Sequence, residues 1–389
     1  MGETNPTSEE RELPEELLNL RNQIDAIDHR MLDLLGQRKE VVAQVADVKR
    51  KNIIAIRDRK REAEILADRR ELCLRLGLSN EVIESLYRVI LTASRDHQAA
   101  LGAEIPNDLR EHTVAIIGGR GGMGSLFAKI FRDLGQDVLI ADLDTKLTPQ
   151  EAVRKADAVL ISVPILNTIE VIKELGPHCR EDGLLFDVTS TKVEPIQAMC
   201  THSKCDVIGT HPIFGPNINT LQEQRIVLVP ARLREGSEWS SWLHSCLHAR
   251  GLSVLETTAE EHDRSMSIVQ VLTHLSTEVL GLAMARLGVP VAETLRFASP
   301  VYLIELLMTA RHFCQSADLY GAIHMANPNR SEIADTLQES LTAWRAAVDA
   351  NSQDAFDALF DESHAYFGDF SERALEQSAY LIDRLVERG

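Results

Sequence analysis

His211 stands between Gly209-Thr210 and Pro212-Ile-Phe-Gly215-Pro216, just past a predicted strand, on a loop fixed by glycine and proline. An imidazole there can take a proton from a substrate hydroxyl as a hydride leaves the same carbon. A purely structural loop histidine fits the same pattern, so His211 alone leaves both readings open. The end of another predicted strand supplies Asp187-Val-Thr-Ser190-Thr-Lys192. Lys192 suits a positioning role toward cofactor or substrate, or an ordinary surface place. Upstream, Gly119-Arg-Gly121-Gly-Met-Gly124 follows an apolar strand and opens a helical run. In that context the glycines allow a tight turn and close approach of pyrophosphate to a helix N-terminus. Asp142 ends the next strand, 23 residues after Gly119. A carboxylate there accepts both ribose hydroxyls and repels a 2′-phosphate, which favours NAD over NADP. Ser162 and Pro164 lie at a third strand end, on the edge where such cofactors rest.

A second concentration of chemistry lies near the N-terminus. Residues 38–61 hold nine basic residues against three acids, inside a chain of net charge −18. That suits a small anionic ligand, although a solvated helix face has the same composition. The overall acidity, 59 Asp+Glu against 41 Lys+Arg, argues against nucleic-acid binding. The six cysteines are too sparse for a disulfide scaffold, and Cys200-Thr-His202-Ser-Lys-Cys205 lacks metal-ligand spacing, so no metal is expected. No apolar run approaches the roughly 20 residues of a membrane span. The polar start of the chain lacks a secretory pattern, which makes the expected location cytoplasmic.

These residues need elements to hold them. Leu17, Leu20, Ile24, Ile27, Met31, Leu34 and on to Val48 recur at helical spacing and predict one long helix. Two shorter helices follow, to Leu76 and to about Leu101. A helix of about 35 residues spans about 50 Å and juts from so small a domain, so a partner must cover it. A linker is expected over 102–112. Strand–helix alternation over 113–258, with continuous apolar strands, predicts a parallel sheet covered on both faces. Residues 259–389 read as helical. The fold class is therefore multidomain: all-α over 1–101, α/β of the Rossmann type over 113–258, and all-α over 259–389.

The motifs Leu20-Arg-Asn-Gln-Ile-Asp-Ala-Ile-Asp28, Arg57-Asp-Arg-Lys-Arg-Glu62, Gly209-Thr-His-Pro-Ile-Phe-Gly-Pro216 and Glu261-His-Asp-Arg-Ser-Met266 carry a resemblance. From about Leu17 to about Glu376 the chain resembles the fused chorismate mutase–prephenate dehydrogenases of bacteria. The resemblance implies a three-helix mutase that rearranges chorismate to prephenate. It implies a dehydrogenase that uses NAD to convert prephenate to 4-hydroxyphenylpyruvate, with a helical dimerisation domain and feedback inhibition by tyrosine. In the mutase it implies Arg21, Arg38, Asp58, Arg61 and Ser94 as substrate-binding residues. Lys49 and Gln98 would face the breaking ether oxygen, and Glu62 the ring hydroxyl. Arg38 and Lys49 are 11 residues apart, about three turns, and project from one face. Arg21 lies 17 residues before Arg38, about 25 Å along a straight helix, and is expected to reach the partner's site in a homodimer. In the dehydrogenase the resemblance implies His211 and Ser190 at the substrate hydroxyl, Arg311 at the ring carboxylate, and His274 as a second pocket histidine. Leu303 departs from the pattern, standing where enteric members carry arginine. Two other readings stay open: a β-hydroxyacid dehydrogenase with Lys192 as catalytic lysine, and a first hundred residues that serve only as a binding or dimerisation module.

Overall fold

Three helices open the chain, in a computed structural model that describes residues 14–52, 56–101 and 109–386. Helix α1 runs Glu15–Asn52, α2 Arg59–Leu76 and α3 Asn80–Ala100. Asp58 begins α2 by accepting the Arg61 N–H at 2.9 Å, and Gly77 ends it at φ 66°. Ser79 caps α3 through the Val82 N–H. On α1 only Val42 and Ala46 are buried. Its apolar stripe is open to solvent, with Leu20 51% and Ile24 57% exposed. A stripe of that width belongs against another surface. Most of the 102–112 linker, and residues 53–55 where the helical pattern breaks, lie outside the described residues.

Seven strands form one sheet: β1 Thr113–Ile117, β2 Asp137–Ala141, β3 Ala158–Ile161, β4 Leu184–Asp187, β5 Asp206–Pro212, β6 Arg225–Arg232 and β7 Ser253–Glu256. Their order is β2-β1-β3-β4-β5-β6-β7. The first five run parallel. β3 and β4 are buried at every residue, which is why they read as unbroken apolar runs. β6 departs from the expected parallel sheet by pairing antiparallel with β5. No helix lies between Pro212 and Arg225, so the chain turns back where a parallel return would need a crossover. Ile117 pairs with both Ala141 and Ile161, so Gly118, Asp142 and Ser162 emerge together at the carboxyl edge.

The described residues fall into two compact units. One holds the N-terminal helices to Arg110 with Ile218–Gln224 and Trp242–Ser253; the other holds Glu111–Asn217, Arg225–Ser241 and the chain from Val254 onward. Within the second, the helix Ala259–Leu287 is long and apolar enough by length and composition to cross a membrane. Its first turns, however, are fastened to the start of the helix Val193–His202: Asp263 accepts the backbone N–H groups of Lys192 and Val193 at 2.7 and 3.0 Å. Helices continue to Val386 and leave large apolar side chains uncovered, Leu287 and Phe297 among them.

Candidate active sites

The glycine loop is shaped by close backbone contact. Gly118 sits at φ 81°, and a Cβ there would lie 2.2 Å from the Ser162 carbonyl oxygen. A Cβ on Gly124 would lie 2.3 Å from the Gly118 carbonyl oxygen. Only glycine fits either place. Helix α4, Gly122–Asp133, starts from Gly121, and no side chain caps its first turn. That turn can therefore receive an anion. Gly119 closes against Ile140 of β2. Asp142 accepts the Arg120 N–H at 2.9 Å and the Leu143 N–H at 2.8 Å, which holds its carboxylate beside the loop. Ser162 donates its N–H to Ile117 at 2.8 Å, and Pro164 leads into the helix Ile165–Leu175. The cradle fits a dinucleotide, with Asp142 at the place a ribose would take.

Below the next two strand ends lies a buried ion pair. Lys192 Nζ donates to Asp187 at 2.5 Å and to the Thr210 carbonyl at 2.7 Å. Both side chains are fully buried. Burial pushes the Asp187 carboxyl up and the Lys192 ammonium down, and their mutual attraction opposes both shifts. The structure thus removes Lys192 from the surface. It ties the β4 end to the residue before His211. Ser190 is half-buried on the same loop, beside Thr189, whose N–H Asp187 accepts at 2.9 Å.

His211 lies within β5 rather than just beyond it, and it is buried. Its Nδ1 is 2.9 Å from His262 Nε2, and His262 Nδ1 is 2.8 Å from Asp263 Oδ1. This line fixes the protons. An ionised Asp263 only accepts, so His262 donates from Nδ1. His262 Nε2 is then an acceptor, so His211 donates from Nδ1 and keeps its lone pair on Nε2. Gln270 Nε2 lies 3.3 Å from that atom. Burial, then His262 and Lys192, hold the His211 imidazole well below its usual 6.5, so it stays neutral at physiological pH. Burial works to raise the Asp263 carboxyl, but hydrogen bonds from His262 and the backbone of Val193 and Lys192 outweigh it and hold it low. Gln270 is aimed by a π-helical turn, Ser267–Leu272, inside the long helix.

His274 follows one turn after Gln270. It packs among Tyr320, His312 and His324 with ring centroids at 4.8, 5.5 and 6.2 Å. Its buried Nδ1 has no hydrogen-bond partner, and burial with the neighbouring histidines brings its pKa down to about 4. Glu278 receives His312 and His324 at 3.0 and 3.2 Å beside a cavity of about 680 Å³. Arg311 is exposed on the helix Pro300–Phe313, next to His312, and Leu303 lies two turns earlier on that helix.

In the helical unit, Arg38 of α1 donates to Ser94 Oγ of α3 at 2.5 Å. Lys49 reaches the Ile56 carbonyl at 2.5 Å. Gln98 is buried; its amide N–H₂ donates to the Ser94 carbonyl at 3.2 Å and its Oε1 has no partner. Glu62 of α2 is held from two sides, by Arg95 on one oxygen and by Arg57 at 3.4 Å on the other. These groups from three helices face one another through the Arg38–Ser94 and Glu62–Arg95 contacts. Asp58 serves as the α2 cap. Arg61 is exposed and paired with Glu64 at 3.3 Å, and Arg21 is exposed on α1.

Sequence reasoning missed His262, Asp263, Gln270, Arg95 and Arg57 as site residues. Arg95 had a signal: it is three residues before Gln98, hence on the same helix face. His262 and Gln270 stand 51 and 59 residues from His211, and no local pattern links them.

Three family models match the chain. Chorismate mutase type II matches residues 20–99, the nucleotide-binding domain of prephenate dehydrogenase matches 135–255, and its dimerization domain matches 258–362. The T-protein of Haemophilus influenzae is 33% identical over 371 residues, 95% of this chain and 97% of that protein. The T-protein of Enterobacter agglomerans is 34% identical over 94% of this chain and 97% of its own length. Among solved structures, the prephenate dehydrogenase of Aquifex aeolicus in complex with hydroxyphenyl propionate and NAD+ is similar, with TM-score 0.53 at 18% identity. It covers 67% of this chain and 99% of that one.

Proposed function

Because the chain belongs to the T-protein family, the fused chorismate mutase–prephenate dehydrogenases of tyrosine biosynthesis, we propose that the two clusters just described are the sites of its two reactions. It is a chorismate mutase and an NAD-dependent prephenate dehydrogenase. In this reading residues 1–101 carry the mutase, 113–258 bind NAD, and 259–389 complete the prephenate site and form a dimer.

The mutase reaction is pericyclic and needs no nucleophile. Its rate depends on holding the reactive conformer and on meeting negative charge that develops on the ether oxygen. Lys49 and Gln98 are the donors to that oxygen. Arg38 grips a carboxylate, Ser94 steadies it, Glu62 accepts the ring hydroxyl, and Arg61 and Asp58 shape the entrance. Arg21 serves the partner's site, which the exposed apolar stripe of α1 supports: a second copy covers that stripe and brings its own Arg21 across.

In the dehydrogenase, NAD bound on Gly119, Gly121, Gly124, Asp142, Ser162 and Pro164 supplies the hydride acceptor. The chain's own work is done at the ring hydroxyl. His211 takes the hydroxyl proton on Nε2 while Gln270 and Ser190 orient the oxygen. The positive charge gained by His211 spreads to His262 and is met by Asp263. Arg311 orients the ring carboxylate as a paired donor, and His274 backs the pocket. Carbon dioxide leaves and the ring becomes aromatic. We extend the reading to cytoplasmic location and to feedback inhibition by tyrosine, whose 4-hydroxyphenyl group it shares with the product.

The observation that carries the reading is the line Asp263–His262–His211, which leaves a neutral histidine with its lone pair on Nε2, beside the Gln270 amide. The test is NADH formation by the purified protein given chorismate and NAD⁺ alone. A signal is expected. Silence with chorismate and with prephenate, while NAD still binds, would sink it.

A further inference from the structure

We propose that Glu223 is a positioning residue for the mutase site, acting on Glu62 through Arg57; this rests on the reading of Glu62 as the mutase carboxylate. Glu223 lies on the connection between β5 and β6, in the segment Ile218–Gln224 that groups with the N-terminal helices. Its backbone is at φ 63°, a left-handed conformation. Glycine and asparagine adopt it readily and glutamate rarely does. The backbone is pinned by the Glu223 N–H, which donates to the Gly251 carbonyl at 2.8 Å. The same segment is anchored to α3 by Thr220, whose hydroxyl donates to Asp96 at 2.5 Å, next to Arg95.

The carboxylate of Glu223 meets Arg57 at 2.7 Å, and its other oxygen lies 3.8 Å from Arg59. Arg57 is thereby drawn between two acids, close to Glu223 and only 3.4 Å from Glu62. Without Glu223 the Arg57 fork is free to close fully on Glu62 and take the lone pair that the substrate's ring hydroxyl must use. Glu223 keeps that lone pair available. Because Glu62 holds the hydroxyl before and during the rearrangement, its loss of access shows in KM more than in kcat.

The test is the full-length Glu223→Gly protein, since glycine keeps the backbone conformation and deletes only the carboxylate. The KM for chorismate is expected to rise about two- to fivefold, with kcat nearly unchanged, as for loss of one solvent-exposed ion pair. NADH formation from prephenate should not change, and Tm should not fall. In Arg57→Met protein the further change Glu223→Gly should have no effect on KM. An unchanged KM in Glu223→Gly, or a fall in both activities together with Tm, would overturn the proposal. Lys49→Ala separates the two levels. If it spares the mutase, the site reading fails; if it abolishes mutase activity while Glu223→Gly is silent, only the role of Glu223 fails.

Discussion

In the sheet unit the proposed reactive group is a buried histidine that reaches its partners through hydrogen bonds along one line. In the helical unit the groups are half-buried and mostly cationic: Arg38, Lys49, Arg57 and Arg95 around Glu62. The difference follows the two chemistries. A proton must move in the dehydrogenase, so one nitrogen must be kept neutral and one tautomer enforced. Nothing is protonated in the rearrangement, so fixed charge and a fixed conformer suffice. Removing one member should therefore cost the two sites differently.

The largest effect is expected at His211. His211→Asn should lower kcat with prephenate by about a thousandfold, the scale of a lost general base, and leave the mutase intact. Near-normal turnover would break the comparison. Lys49→Ala should lower mutase turnover by about a hundredfold, the scale of one lost oxyanion donor, and spare oxidation of prephenate. Asp263→Asn should lower prephenate oxidation by about tenfold, the worth of one hydrogen bond to a charged partner, as read in steady-state assays.

The smallest effects are in pH. With His211 held below 6.5, kcat/KM for prephenate should stay level as pH falls through 6.5 and decline only beneath it. A midpoint at 6.5 or above would contradict its burial. His274 sharpens the point through stability. Its folded pKa is about 4 against the ordinary 6.5, so the unfolded chain binds a proton that the folded one does not. Stability should therefore fall as pH drops from about 6.5 to about 4, and His274→Phe should flatten that fall in denaturation curves.

The two regions also differed in legibility. The glycine loop, Asp142 and the strand end at Ser162 were readable because a parallel sheet brings strand ends to one edge, and strands announce themselves as apolar runs. The shared helix faces of Arg38 with Lys49 and of Ser94 with Gln98 were readable from helical spacing, while their proposed role in a mutase came from the family motifs. His262, Asp263 and Gln270 were not, since a helix 51 to 59 residues further along the chain delivers them to β5. The reversal of β6 was hidden because strand direction depends on the connection, not on the strand's composition. Arg57 gained meaning only from Glu223, whose left-handed backbone no propensity would suggest.

The proposed sites are two and separable, and complementation tests that directly. Lys49→Ala and His211→Asn proteins are each given chorismate and NAD⁺, then mixed. Each variant alone should form NADH at a small fraction of the unaltered rate, and the mixture should recover it, because one protein releases prephenate that the other oxidises. Full activity in either variant alone, or a mixture as inactive as its parts while each retains its other activity, would contradict the assignment.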